Sequence, residues 1–182
     1  MKKDKSIETD INPEEFPDNI VRLLNETINT KSYKEKVVAR KKLVHMGKSI
    51  LPDLHKLLLT KTIALRMEVA KVVQLIGSRR SISALIEILD DPEFDIRWIA
   101  AEGLIKIGRK SIIPLLESVR DGKSSLIMDK GTHHILQSLL TEKEKITLKP
   151  LLQSLDNFHE MREITPTQAA VALKTTFKSR IP

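Results

Sequence analysis

The chain has 182 residues, enough for a domain with a real core, and its 41% hydrophobic and 30% charged residues are those of a folded globular protein. It has no cysteine, which excludes disulfides, thiolate metal sites and cysteine nucleophiles, and only 3% aromatics, so the core must be built from Leu, Ile, Val and Ala. The net charge of +7 is uneven: residues 1–30 carry an acidic excess, residues 81–182 balance, and the whole positive excess falls in residues 31–80, with thirteen basic groups against Glu35, Asp53 and Glu68.

The opening "MKKDKSIETD" has lysines but no apolar segment behind them, so no secretory signal is expected. No stretch approaches the roughly 18 apolar residues of a membrane span. A cytoplasmic location and no membrane association are expected. Residues 1–16 read as a flexible tail, and residues 17–182 as a single domain.

From Asp18, "DNIVRLLNETI" sets Ile20, Leu23, Leu24 and Ile28 on one helical face and predicts an N-terminal capping helix. In "SYKEKVVARKKLVHMG", Ser32 and Glu35 have the spacing of a reciprocal capping box, and Gly47 suits the left-handed position that closes a helix. Three segments then align on terminal glycines: "KVVARKKLVHMG" to Gly47, "RMEVAKVVQLIG" to Gly77 and "RWIAAEGLIKIG" to Gly108. Ala39, Val69 and Ala100 share one column, and Leu43, Val73 and Leu104 another. Lys36, Arg66 and Arg97 share a third, near each helix start.

After each glycine comes a second apolar segment: "SILPDLHKLLL", "SISALIEILDD" and "SIIPLLESVRDG". Pro52 and Pro114 fall near the helix starts, where a missing N–H costs little. Asp91-Pro92 and Asp121-Gly122 end the second helices, and Asp95 stands where it can cap the next. "TLKPLLQSLDNF" repeats the phrase a fourth time. Its partner, "SSLIMDKGTHHILQSLL", carries Gly131 inside the helix and none at its end. "EMREITPTQAAVALKTTF" predicts a C-terminal cap.

Each unit is thus helix, glycine turn, helix, loop. One pair cannot bury its own apolar face, but stacked pairs share a continuous core. The expectation is an all-α, right-handed α-α superhelix of about four helical hairpins, near residues 32–61, 62–92, 93–122 and 123–158, with a cap at 159–182.

"DPEFDIRWIAAEGLIKIG" followed by "IIPLLESVRDG" resembles a HEAT repeat, most closely the short bacterial, phycobilin-lyase-like variety. The resemblance is closest over residues 62–122, looser over 32–61 and loosest over 123–182. It implies a fold rather than a chemistry. The leading implied function is a non-catalytic scaffold that docks a protein partner along the concave face, where the second helices present His55, Lys56, Glu87, Glu117 and Gln153. Bilin lyase or isomerase activity is a further alternative, resting on fold analogy alone.

The basic block offers nucleic acid or another polyanion as an alternative partner, through Arg40, Lys41, Lys42, Arg79 and Arg80. With few aromatics there, such binding would be backbone-driven and salt-sensitive. His133 and His134 are adjacent and point about 100° apart on a helix, a poor arrangement for one metal ion; only Asp129 stands four residues from His133. The reading favoured is one histidine packed between helices and the other facing solvent. Trp98 is read as core or edge packing. The Lys36, Arg66 and Arg97 column is read as a structural ladder onto acids or carbonyls of the adjacent loop, with Asp91 and Asp95 as partners. No Walker loop, dinucleotide glycine motif, H-E-x-x-H or G-x-S-x-G occurs, so neither cofactor nor enzymatic activity is expected.

Overall fold

The computed structural model describes residues 10–122, 125–156 and 164–177, and among these every regular element is helical. In chain order they are α1 (Asp18–Asn29), α2 (Tyr33–Met46), α3 (Leu51–Leu57), α4 (Ile63–Ile76), α5 (Ile82–Glu87), α6 (Phe94–Ile107), α7 (Ile112–Arg120), α8 (Leu126–Leu139), α9 (Glu142–Thr147), α10 (Lys149–Asp156) and α11 (Thr165–Thr175). Short 3-10 turns lead from first to second helices at Gly47–Ile50, Arg79–Ser81 and Arg109–Ser111. The chain divides into two compact units, Met1–Ser81 and Ile82–Pro182.

The aligned columns are the core. Ala39, Val69, Ala100, Leu43, Val73 and Leu104 are all fully buried, as are Leu54, Leu116, Leu57 and Val119. Burying each such Leu or Val side chain stabilises by about 1.5–3 kcal/mol. Within the first unit, the small Ala39 side chain lets α2 approach α4.

The turns depend on glycine. Gly77 is left-handed at φ 62°, ψ 36°, and its N–H closes α4 on the Val73 carbonyl. Gly47 (φ 66°, ψ −139°) and Gly108 (φ 84°, ψ −157°) are not in that well. They occupy the region at positive φ and extended ψ that only glycine tolerates.

In the first unit α1 packs against α2 and α4, α2 packs against α4, and α3 packs against α4. The expected capping box is half formed. Ser32 Oγ accepts from the Glu35 N–H at 3.3 Å, but the Glu35 carboxylate takes the Thr30 hydroxyl, at 2.5 Å. Thr30 Oγ1 in turn accepts the Ser32 N–H, so the cap is relayed through one more residue. Of the expected tail, residues 1–9 lie outside the described residues, while Ile11 is buried and Pro13–Glu15 forms a 3-10 turn. Asp10 accepts the Lys61 N–H at 2.6 Å and the Thr62 N–H at 3.4 Å. It thereby caps α4, whose own Thr62 makes no side-chain cap. Burial raises the Asp10 pKa, and bonds from the Thr62 side chain and the Lys61 N–H outweigh that, leaving it below its usual value.

In the second unit α6 and α8 lie side by side, and α5 packs against both α6 and α7. The Asp91 carboxylate accepts the Glu93 N–H at 2.9 Å and sets the turn into α6. Asp95, expected as the cap, lies inside the first turn of α6. Between α8 and α10 the chain inserts α9, opened by a complete capping box of Thr141 and Glu144. The fourth repeat thus has one short helix where its predecessors have a 3-10 turn. Helix α11 packs against both α7 and α10, burying Ala169, Ala172 and Leu173. The head of the expected C-terminal cap, residues 159–163, lies outside the described residues.

Arg109, in the turn after α6, ties this unit together. It donates to the Leu139 carbonyl at 2.8 Å and grips Glu144 with two bonds of 2.5 and 2.9 Å. The Arg109 bonds come first among the influences on Glu144; burial opposes them and Thr141 adds to them. The carboxyl is held at a pKa of about 2.

Candidate functional site

The apolar columns of α6 face the core, but Phe94 and Trp98, one helical turn apart, do not belong to them. Phe94 is 64% and Trp98 48% exposed. On α8, Ile127 is 45% exposed, and Gly131 stands mid-helix. These residues line an open groove of about 470 Å³ between the two helices, with Leu89 at its base. A Cβ on Gly131 would meet Leu89 Cδ2 at 3.3 Å, so the missing side chain is part of the groove's depth.

The rings are ordered by one another. Trp98 stacks on the His134 imidazole at 4.9 Å with 25° between planes, and Phe94 continues the stack at 6.4 Å. His134 Nε2 lies 3.0 Å from the Glu102 carboxylate, which fixes the imidazole from its far side. Arg97 donates through Nη1 to the Asp91 carbonyl at 2.7 Å and the Pro92 carbonyl at 2.8 Å. Its guanidinium lies 5.6 Å from the Phe94 ring centre. These partners are neutral carbonyls, so the guanidinium charge remains at the rim, where Lys130 also lines the groove.

The basic column behaves as a ladder onto loop carbonyls. Arg66 donates to the Thr60 and Lys61 carbonyls as Arg97 does one repeat later. Asp91 serves Arg97 through its backbone oxygen. Lys36 leaves the ladder and lies 3.3 Å from Glu68.

Glu68 is nearly fully buried and gathers three cations: Arg40 at 2.6 Å, Lys36, and Lys71 at 3.7 Å. Arg40 is therefore turned inward. Lys41, Lys42, Arg79 and Arg80 are exposed and have no acidic partner among the described residues. Arg79 and Arg80 share an open cleft of about 480 Å³ with Lys48.

The five residues expected on the concave face separate. His55 is half-buried in the first unit, with Nε2 3.0 Å from the Ser81 hydroxyl, and desolvation lowers its pKa. Lys56 beside it is exposed. Glu87 and Glu117 line one open groove of the second unit, of about 620 Å³, together with Asp90 and Asp121. Gln153 lines another with His133 and Lys145. Of the histidine pair, His134 packs and His133 stays near Gln137, 3.4 Å away. Among the described residues no group of three or more His, Asp or Glu is placed to hold a metal ion, and no helix is long and apolar enough to cross a membrane.

The sequence-based reading missed the groove because it is an inter-helix feature: Phe94, Trp98, Gly131 and His134 meet only when α6 lies beside α8. The available signal was Phe94 and Trp98 at i, i+4 outside the repeat's core columns.

Helix pairs joined by glycine turns, with aliphatic columns repeated in register along one chain, define a helical-repeat protein. The model for HEAT repeats matches residues 20–105 and again 51–129, and the chain belongs to the HEAT-repeat family. HEAT repeats are generally protein-interaction scaffolds and typically non-catalytic. Among curated proteins none matches the chain.

Proposed function

We propose that the chain is a non-catalytic interaction module whose α6–α8 groove receives a partner protein's segment, one carrying an apolar anchor flanked by acidic residues. The observation that carries this is the solvent-facing stack of Phe94, Trp98 and His134 over an open apolar groove. Large rings left in water at a concave site are the usual anchors of protein interfaces. Here they are held by stacking and by Glu102 before anything binds, so little side-chain freedom is lost on docking. The acidic flank follows from the Arg97 guanidinium at the rim, where carboxylates would meet positive potential.

The test is selection from a random dodecapeptide display library on the full chain, followed by titration of enriched peptides. Peptides combining an aromatic or aliphatic anchor with Asp or Glu should bind, and Phe94→Ala with Trp98→Ala should weaken them at least tenfold. Enriched peptides that bind the double variant as well as the parent would refute the assignment, as would a selection yielding none.

A further inference from the structure

We infer that the glycine-turn edge of the first unit is a second, independent site, and that its ligand is the phosphodiester backbone of duplex nucleic acid. The fold brings the cations to this edge. Lys41 and Lys42 lie in the last turns of α2, Lys48 in the turn after it, and Arg79 and Arg80 in the turn that follows α4. All five are exposed, and none has an acidic partner among the described residues.

Burial of Glu68 explains why this charge stays open. The first unit holds few acids after its N-terminal segment, and the best placed of them is consumed internally by Lys36, Arg40 and Lys71. Glu35 accepts the Thr30 hydroxyl at the opposite end of α2. Asp53, in the first turn of α3, is the acid of this block nearest the edge and makes no ion pair with these cations among the described residues, so five cations against one carboxylate keep the potential positive.

Phosphate fits better than carboxylate because the cations converge. Lys48, Arg79 and Arg80 line one cleft, and two guanidinium forks with an ammonium suit the several oxygens of a single phosphate. Lys41 and Lys42 continue the charge along α2, as a chain of phosphates requires. No aromatic residue stands at these turns: Tyr33 begins α2 at its far end. Base stacking is therefore not available here, and contact through the backbone, indifferent to sequence, remains.

Fluorescence anisotropy of a labelled 20-base-pair DNA duplex with the full chain tests this, between 50 and 200 mM NaCl. Sequence-independent binding with a Kd of about 1–100 μM at physiological salt is expected, weakening steeply as salt rises. Replacing Lys48, Arg79 and Arg80 together by Ala should weaken binding at least tenfold and reduce the log–log salt slope by about 3, roughly one per lost contact. Lys34→Ala with Lys61→Ala, in the first turn of α2 and the loop before α4, should change affinity less than twofold. The inference is overturned by no binding at 50 mM NaCl, or by equal losses from both variants, which would mean a diffuse charge effect. It is equally overturned if polyglutamate of matched charge binds as tightly as the duplex, which would assign the edge to an acidic protein. Circular dichroism of each variant shows that the fold is kept, as exposed positions allow.

Discussion

The indole of Trp98 lies 4.9 Å from the imidazole of His134, and Glu102 holds that imidazole from behind at 3.0 Å. The three side chains come from two helices, α6 and α8, so the stack clamps the pair together at the surface. His134→Ala should therefore loosen the indole. The chain has a single tryptophan, which makes the readout clean. Acrylamide quenching of Trp98 should rise about twofold, while stability falls by only about 0.5–1.5 kcal/mol, the range for an aromatic pair. Unchanged quenching would show that α6 alone positions the ring.

Gly131 belongs to the same arrangement. An interior glycine costs a helix about 1 kcal/mol relative to Ala. Yet a Cβ there would press on Leu89 Cδ2 at 3.3 Å. The helical gain and the crowding oppose each other, so Gly131→Ala should alter stability by less than about 1 kcal/mol. Gly131→Leu should fill the groove and abolish peptide binding. Retained binding in the leucine variant would place the partner elsewhere.

Much of the architecture was legible because the repeat writes its core into register: Ala39, Val69 and Ala100 are buried for the same geometric reason. Glycine turns were legible because positive φ leaves few alternatives. What could not be read was pairing between side chains far apart in sequence. Asp10 capping α4, Glu68 drawing in Arg40, and Arg109 reaching Glu144 span 28 to 52 residues. Each depends on where long, flexible side chains end up, which hydrophobic periodicity does not encode. The same limit hid the α6–α8 groove, and it made Arg40 look as available as Lys41.

His55 supplies a pH-dependent element. Desolvation lowers its pKa below the usual histidine value, so the folded state favours the neutral ring that meets Ser81. Protonation is thus easier in the unfolded chain, where the pKa is about 6.5. The stabilisation is present above that pH and is lost as pH falls through the lower folded value. Urea denaturation should show stability declining from pH 7 toward pH 5.5, and His55→Gln should flatten that decline. An NMR titration in which His55 protonates before the other histidines on acidification would contradict it.

Glu68 should be the most sensitive acid in the first unit. Its carboxylate is 4% exposed and holds Arg40, itself 16% exposed, at 2.6 Å. Glu68→Gln leaves that largely buried guanidinium without its counter-charge, which should cost about 2–4 kcal/mol, somewhat under the range for fully buried pairs. Glu68→Gln combined with Arg40→Met removes both charges and should recover at least half of the loss. Chemical denaturation of the four chains forms the double-mutant cycle. A coupling energy near zero would reduce the pair to a surface contact.

Arg109 and Glu144 give a second pH window, lower than that of His55. Glu144 is held at about 2 against a usual value of 4.5. A carboxylate with a depressed folded pKa stabilises fully above the unfolded value and loses that contribution as pH falls from about 4.5 toward 2. Solvent reaches Arg109, which is 37% exposed, so the full pKa difference overstates the pair's worth. Discounted for that screening, the contribution at pH 7 is about 1–2 kcal/mol. Arg109→Ala also strips the Leu139 carbonyl of its donor, so it should cost more than Glu144→Gln. Amide hydrogen exchange localises the effect: the end of α8 and the start of α9 should lose protection in both variants, and α6 should not. Uniform loss across the second unit would mean that Arg109 acts through the turn it occupies rather than through the helix ends it holds.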